Sequence, residues 1–239
     1  MNRRKSGTFA IRAFVLALVL GMPWRAQSQE VKSSYPQMAP VAQYLTDKTA
    51  EIAMARSAAP PSISADADVL VLTAHGYETA VKGKNGFACV VERSWMAPFD
   101  FPEFWNPKMR GPICFNPQAV RTILPLTIKR TELVLAGLPK TQVANGIKEY
   151  VTKNPPSLEP GAMCYMMSSQ GYLGDKPGHW VPHLMFYVPQ KDQSTWGADL
   201  DGSPIMLNPQ FQGAPEPLTV FMIQVPTWSD GTPGPTDSH

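Results

Sequence analysis

The spacing of apolar residues predicts helices in two regions of the chain. Residues 38–58 carry apolar side chains at helical intervals up to a double proline, which predicts a helix near the N-terminus. Residues 120–138 show the same periodicity with a break at Pro125, and residues 140–153 show it again before a second double proline. The pattern therefore predicts an N-terminal helix and a helical pair in mid-chain.

Short apolar runs predict the strands, which fall at residues 69–72, 162–168, 183–188 and 218–225. Asn85-Gly86 is a strong turn signal and predicts a hairpin between strands over 77–81 and 87–91. Helices and strands follow one another in blocks rather than in strict alternation. The predicted fold class is therefore α+β with a mainly antiparallel sheet.

Residues 94–117 predict a long ordered loop. Five prolines interrupt every periodic pattern in this segment, and its many aromatic residues require it to fold onto the protein. Loops of this kind are uncommon and often functional.

Two interpretations of this loop remain open. An aromatic platform beside a few charges suits a cleft for a sugar, a peptide or an aromatic ligand, whereas a mere cover over one end of the sheet binds nothing. The candidate binding residues are Trp95, Phe99, Asp100, Phe101, Glu103, Trp105, Arg110 and, from a later segment, Trp180. Asp100 and Glu103 could also serve as an acid/base pair.

The N-terminus has the layout of a secretory signal peptide. A cationic start is followed by a ten-residue apolar run over 13–22 and by small residues at 26–28. An uncleaved anchor is the alternative, although such anchors usually carry about 20 apolar residues. We therefore expect a signal peptide over 1–28, a single globular domain over 29–228 and a disordered tail over 229–239, in a periplasmic or secreted protein.

The charge of the chain changes when the predicted leader is removed. The whole sequence has 21 basic and 19 acidic residues, a net charge of +2. Five of the basic residues and none of the acidic ones lie in 1–28, which leaves 16 against 19 and a net charge of −3. No cluster of Lys and Arg remains, so we expect no nucleic-acid partner. The remainder also has no apolar segment long enough to span a membrane.

All three cysteines, Cys89, Cys114 and Cys164, follow the predicted leader. In an oxidising compartment two of them are expected to pair. We favour Cys89–Cys114, which would tie a strand to the loop that follows it, and leaves Cys164 as the odd thiol. Pairing of Cys89 with Cys164 remains open, because both lie in strand-like runs.

The segment GDKPGHWVPHLMFYVP, residues 174–189, holds His179 and His183. Four residues apart on a helix, they could chelate one metal ion, but Pro182 disfavours helical backbone there. In an extended strand they lie about 13 Å apart, so a shared ion requires a bend. The alternative is that His183 caps a buried strand and forms a local hydrogen bond.

Side-chain alternation suggests a different constellation. Cys164 and Met166 share one face of their strand, and His183 and Met185 share one face of theirs. If these strands pair, the four side chains form a soft sulfur and nitrogen site that suits copper, or zinc with one more ligand such as His179. Cys164 and His183 could instead form a nucleophile and base pair, or the side chains could simply fill the core.

Two segments, residues 76–117 and 158–189, together about a third of the chain, resemble a group of exported bacterial proteins to which no activity is assigned. The resemblance implies export and carries over no catalytic residue. The function expected first is a binding module for a small molecule or an envelope component. The alternatives are a Cu/Zn-dependent or Cys/His-based enzyme centred on Cys164 and His183, and a structural envelope protein.

Overall fold

The computed structural model describes residues 34–175, 180–189, 195–208 and 214–235. The predicted leader, His179 and the last four residues of the predicted tail lie outside the described residues. Within them, the strands are β1 (Asp68–Thr73), β2 (Gly76–Val81), β3 (Ala88–Glu92), β4 (Gly111–Phe115), β5 (Met163–Met166), β6 (His183–Pro189), β7 (Ile205–Leu207) and β8 (Leu218–Gln224). The α-helices are α1 (Lys48–Arg56), α2 (Pro61–Ser64), α3 (Pro117–Thr122), α4 (Leu124–Leu135) and α5 (Lys140–Lys153).

The strands form one sheet in the order β2-β1-β3-β4-β5-β6-β8-β7. Among the described strands, β1 and β3 are the parallel pair, and every other neighbouring pair is antiparallel. The α+β class with a mainly antiparallel sheet is confirmed.

The predicted hairpin between the second and third strands is wrong, because β2 pairs with β1 instead. The connection from β2 to β3 crosses the start of β1, where the amide of Lys84 donates to the carbonyl of Asp66. Gly83 allows this crossing, since a Cβ there would lie 2.2 Å from the oxygen of Asp66. The chain bends at Asn85-Gly86, where Gly86 has a φ of 78°, but this bend ends a crossover rather than joining two neighbouring strands.

The prediction of irregular structure throughout 94–117 is wrong for residues 111–115, which form β4. Pro112 pairs with Val91 of β3. On its other side β4 pairs with β5 only at Cys114 and Phe115, so that ladder stops short of the proline. Pro112 has no backbone N–H, and this is tolerated because no strand pairs with β4 on that side at this position.

The helices follow the predicted pattern with one shift. The predicted N-terminal helix begins only at α1, where the carboxylate of Asp47 accepts the amides of Thr49 and Ala50. The break near Pro125 separates α3 from α4, and α5 has the predicted bounds. In the described part of the chain, no helix is long and apolar enough to cross a membrane.

The sheet buries both of its faces. Face A carries Val90, Ile113 and Cys164 and packs against the side chains of α3, α4 and α5. Face B carries Cys89 and Cys114 and packs against α1 and its C-terminal extension. A third apolar cluster lies between the 94–110 loop and the ends of α4 and α5.

The disulfide joins Cys89 to Cys114, which stand directly opposite each other on β3 and β4, and this prediction is confirmed. Closing a loop of 25 residues stabilises the fold by roughly 3 kcal/mol in the chain-entropy account. Cys164 is a free, buried thiol on the opposite face of the sheet.

The first residues of the predicted tail are hydrogen-bonded to the body of the protein rather than disordered. The amide of Ser229 donates to the carbonyl of Met167, and its hydroxyl donates to the carbonyl of Ser57. The amide of Gly234 donates to Pro226 within the same turn.

Candidate functional site

The pairing of β5 with β6 brings together the cysteine, histidine and methionine side chains that were predicted to share one face of the sheet. Cys164 stands opposite Met185, and Met166 stands opposite His183. The sulfur-bearing row continues across the sheet, because Met185 is opposite Met222 of β8. The sequence-derived constellation therefore exists as a set of neighbouring residues on face A.

A hydrogen bond to the backbone just before β6 fixes the orientation of the His183 ring. Its Nδ1 lies 2.7 Å from the carbonyl oxygen of Val181, so Nδ1 carries the proton and donates it. Burial lowers the pKa of His183, which keeps the imidazole neutral near pH 7. Trp180 packs edge-on against this ring with the centroids 5.4 Å apart.

The hydrogen-bond partner that the structure shows for the Cys164 side chain is a tyrosine. Its sulfur lies 3.2 Å from the hydroxyl of Tyr187, and burial raises the pKa of the thiol far above its usual range. A buried, protonated thiol is a poor nucleophile. These contacts give no support to a Cys164–His183 catalytic pair.

Zinc and other borderline metals usually require several His, Cys, Asp or Glu ligands. No group of three such residues lies close enough to hold a metal ion among the residues that the structure describes. His179, the remaining predicted ligand, is outside that part of the chain. What remains on face A is the imidazole of His183, with Met166 as its cross-strand neighbour.

The tryptophans of the predicted binding loop are core residues. Trp95 is fully buried and Trp105 is 6 % exposed. The indole N–H of Trp95 donates to the hydroxyl of Thr131 on α4, and Trp105 packs edge-on against Phe104. Both rings contact protein rather than an open surface, so we exclude them from the candidate site.

The charged residues of the loop also have local roles. Glu103 accepts hydrogen bonds from the side chain of Asn106 and the amide of Asp175. Arg110 donates to the carbonyls of Pro107 and Met109, and burial lowers its pKa to about 10.

The other predicted loop residues differ in their exposure. Asp100 is exposed, and Phe99 and Phe101 are partly exposed. Trp180 donates its indole N–H to the carbonyl of Ser168, and its ring packs against the ring of His183 rather than against the loop.

The most unusual carboxyl group was not singled out by the sequence. Glu92, the last residue of β3, is partly exposed and lies where the sheet meets α4. One of its oxygens accepts a 3.2 Å hydrogen bond from the hydroxyl of Thr127. Burial raises its pKa to about 7, while the Thr127 hydrogen bond and the charge of Arg130 act in the opposite direction.

Arg130, three residues further along α4, forms a buried ion pair with Glu216 at 2.6 Å. Its guanidinium also donates to the carbonyls of Trp95 and Ala97 and lies over the ring of Phe99. In the described part of the chain, Nε of Arg130 and Oε2 of Glu216 are enclosed and have no hydrogen-bond partner. Enclosed polar atoms without partners are rare in folded proteins.

A second buried ion pair shows what a purely structural arrangement looks like. Arg93 donates to both oxygens of Glu51 at 2.8 Å and also to the carbonyl of Tyr44. Every oxygen of Glu51 is satisfied. The group of Glu92, Thr127, Arg130 and Glu216, which we call the interior polar cluster, is not satisfied in this way.

A sequence signal for this cluster exists in hindsight. Ala88, Val90 and Glu92 alternate onto one face of β3, so the carboxyl had to point towards whichever helices cover that face. Only the tertiary structure shows that α4 lies there.

Comparison with known proteins finds no match to a protein-family model, to a curated protein or to a solved structure. The proposed function therefore rests on the geometry of this chain.

Proposed function

We propose that the protein is an exported binding module for a small organic molecule that carries a cationic or hydrogen-bond-donating group. The ligand is held at the interior polar cluster, with Glu92 as its anchor. The observation that carries this proposal is that Glu92 lies against α4 with a single hydroxyl donor and no bonded cation among the described residues.

The charge of the interior polar cluster favours a cationic ligand. Glu92 and Glu216 supply two carboxyl groups against one guanidinium, and Arg130 is already bonded to Glu216. An ionised Glu92 is therefore a largely desolvated charge without a bonded cation, which costs free energy that a ligand ammonium or guanidinium group would recover. Oε2 of Glu216 is enclosed and has no hydrogen-bond partner among the described residues, and we propose it as a second acceptor for the ligand.

Export is supported by two separate features. The N-terminal sequence has the three-part layout of a secretory leader, and the fold contains the Cys89–Cys114 disulfide. Disulfides persist mainly in oxidising compartments, so the periplasm or the extracellular space is the proposed location.

The test is a thermal-shift panel on the untagged protein at pH 7.5. Small primary amines, guanidines and quaternary ammonium ions are compared with acetate and glycerol. We expect a saturable rise in the unfolding midpoint with at least one cationic class. The rise is lost in Glu92→Gln and retained in the surface control Glu149→Gln, whose carboxylate pairs with Lys153 in solvent. A panel without any shift, or an equal shift in Glu92→Gln, contradicts the proposal.

General acid–base catalysis at Glu92 is the second candidate. A carboxyl with a pKa of about 7 is half ionised near neutral pH and suits proton transfer in either direction. Any turnover of a ligand found in the panel should then fall with protonation of Glu92 and be absent in Glu92→Gln. Binding without turnover favours the binding module.

A further inference from the structure

The buried ion pair of Arg130 and Glu216 is joined by one hydrogen bond rather than two. Nη2 of Arg130 donates to Oε1 of Glu216 at 2.6 Å, and the two side chains are 2 % and 7 % exposed. Nε of Arg130 and Oε2 of Glu216 are both enclosed, and neither has a hydrogen-bond partner among the residues that the structure describes. The pair therefore keeps one donor and one acceptor unused in the interior, where an unused polar atom costs free energy.

The ion pair of Arg93 and Glu51 shows that this chain can satisfy a buried guanidinium completely. All three nitrogens of Arg93 donate, two of them to backbone carbonyls and the third to both oxygens of Glu51. In Arg130 only two nitrogens donate, Nη1 to backbone carbonyls and Nη2 to Glu216. A pair that serves structure alone needs no unused atoms, so the unused atoms at Arg130 and Glu216 point to a ligand contact.

The two unused atoms lie close enough for one small group to contact both. Nε and Nη2 belong to one planar guanidinium, and Oε1 and Oε2 belong to one carboxylate. With the bonded atoms 2.6 Å apart, Nε and Oε2 cannot be separated by more than about 7 Å. An oxygen atom about 2.8 Å from each spans up to about 5.6 Å, which covers most of this range.

The chemistry of the two atoms selects a hydroxyl group. Nε carries a hydrogen and needs an acceptor, whereas the carboxylate oxygen Oε2 needs a donor. An ammonium group only donates, and an ether or a carboxylate only accepts. A hydroxyl does both through a single oxygen atom, so it can satisfy Nε of Arg130 and Oε2 of Glu216 together.

The Arg130–Glu216 pair is a neighbour of Glu92. Thr127, whose hydroxyl donates to Glu92, precedes Arg130 by three residues on α4. Side chains at this spacing share one side of a helix and have Cβ atoms about 5–6 Å apart. The charge of Arg130 also acts on the pKa of Glu92, as expected of neighbouring groups. A short linker is therefore enough to join a group at Glu92 to a group at the ion pair.

We propose that the ligand of the interior polar cluster is a short amino alcohol. Its ammonium group pairs with Glu92, and its hydroxyl accepts from Nε of Arg130 and donates to Oε2 of Glu216. This inference rests on the proposed function, because it assigns a second contact to the same ligand. A plain alkylammonium ion of the same size leaves both atoms unused and binds more weakly.

The test is titration calorimetry of the untagged protein at pH 7.5 with three linear amines of matched length. Propanolamine carries the terminal hydroxyl, butylamine has a methyl group in its place, and methoxypropylamine has an ether oxygen that accepts but cannot donate. We expect propanolamine to bind about tenfold or more tightly than either of the others, because hydrogen bonds to charged groups are the stronger ones. All three should lose affinity in Glu92→Gln.

Arg130→Lys tests the donor directly. The substitution keeps a cation for Glu216 but removes the planar fork that holds Nε–H in place, so the preference for propanolamine should fall below about threefold. The matched control is Arg121→Lys, whose pair with Glu159 is exposed and whose preference should equal that of the wild type. If Arg130→Lys does not fold, the comparison of the three amines on the wild type decides.

The failure of this inference can be told from the failure of the proposed function. Equal affinities for propanolamine and butylamine, both lost in Glu92→Gln, overturn the inference and leave the proposed function standing. Equal affinities for propanolamine and methoxypropylamine, or a full preference retained in Arg130→Lys, overturn it as well. If none of the three amines binds, the inference is wrong, and the wider panel of cations decides separately on the proposed function.

Discussion

Glu92 and Thr127 are joined by a 3.2 Å hydrogen bond across the boundary between β3 and α4. That bond satisfies one carboxylate oxygen, and no described cation is bonded to the other. The charged and titratable groups around Glu92 are Arg130 on α4, Cys164 on β5 and Tyr187 on β6, with Tyr77 on β2. Of these only Arg130 carries a charge near pH 7, and it is bonded to Glu216.

This environment makes the stability of the protein depend on pH through Glu92. The folded-state pKa of about 7 lies above the ordinary value of 4.5, so the folded protein holds a proton that the unfolded chain releases. The free energy of unfolding therefore falls as the pH rises from about 4.5 to 7. Glu92→Gln cannot ionise, so the folded variant does not carry the free-energy cost of a desolvated carboxylate. It should be more stable than the wild type at pH 8, by roughly 3 kcal/mol at most. Urea unfolding at pH 5 and pH 8 measures this, and a pH-independent difference between the two proteins would contradict it.

Glu216→Gln should destabilise the fold strongly. The substitution leaves the guanidinium of Arg130, which is 2 % exposed, without its counter-ion. Breaking a buried pair by removing one partner costs about 3–5 kcal/mol. The control is Glu159→Gln, whose pair with Arg121 is solvent-exposed and should cost at most about 1 kcal/mol. Denaturant unfolding at pH 7 compares the two, and equal small losses would show that the interior pair is not desolvated.

Cys164 should be inert in the native protein. Its thiol is fully buried and its pKa is raised, so the thiolate fraction at pH 8 is negligible. A thiol reagent should label Cys164 only after unfolding, with the disulfide left intact. Rapid stoichiometric labelling under native conditions would place the thiol at the surface and revive the nucleophile hypothesis.

The parts of the fold that depend on local pattern could be predicted from the sequence. Alternation placed Cys164 with Met166 and His183 with Met185, and the pairing of β5 with β6 followed that grouping. The disulfide was predictable because Cys89 and Cys114 have suitable spacing for neighbouring segments.

The parts of the fold that depend on which strands and helices become neighbours could not be predicted from the sequence. Asn85-Gly86 specifies a tight turn but not which strand lies next to β3, and β1 takes that place. β4 could not be predicted, because a proline such as Pro112 argues against a strand. Pro112 is tolerated in β4 since the pairing with β5 ends before it reaches this residue. Nothing in the sequence around Glu92 indicates that α4 lies over the face of β3 on which it stands.

The central claim, that Glu92 anchors a cationic ligand, is tested most directly by calorimetry in buffers of different ionisation enthalpy at pH 7. The probe is the cationic compound that gives the largest thermal shift. A bound cation favours the ionised carboxylate and lowers the pKa of Glu92, so binding should release up to about half a proton, and Glu92→Gln should release none. Binding that releases no proton, or that is equally strong in Glu92→Gln, would contradict the claim.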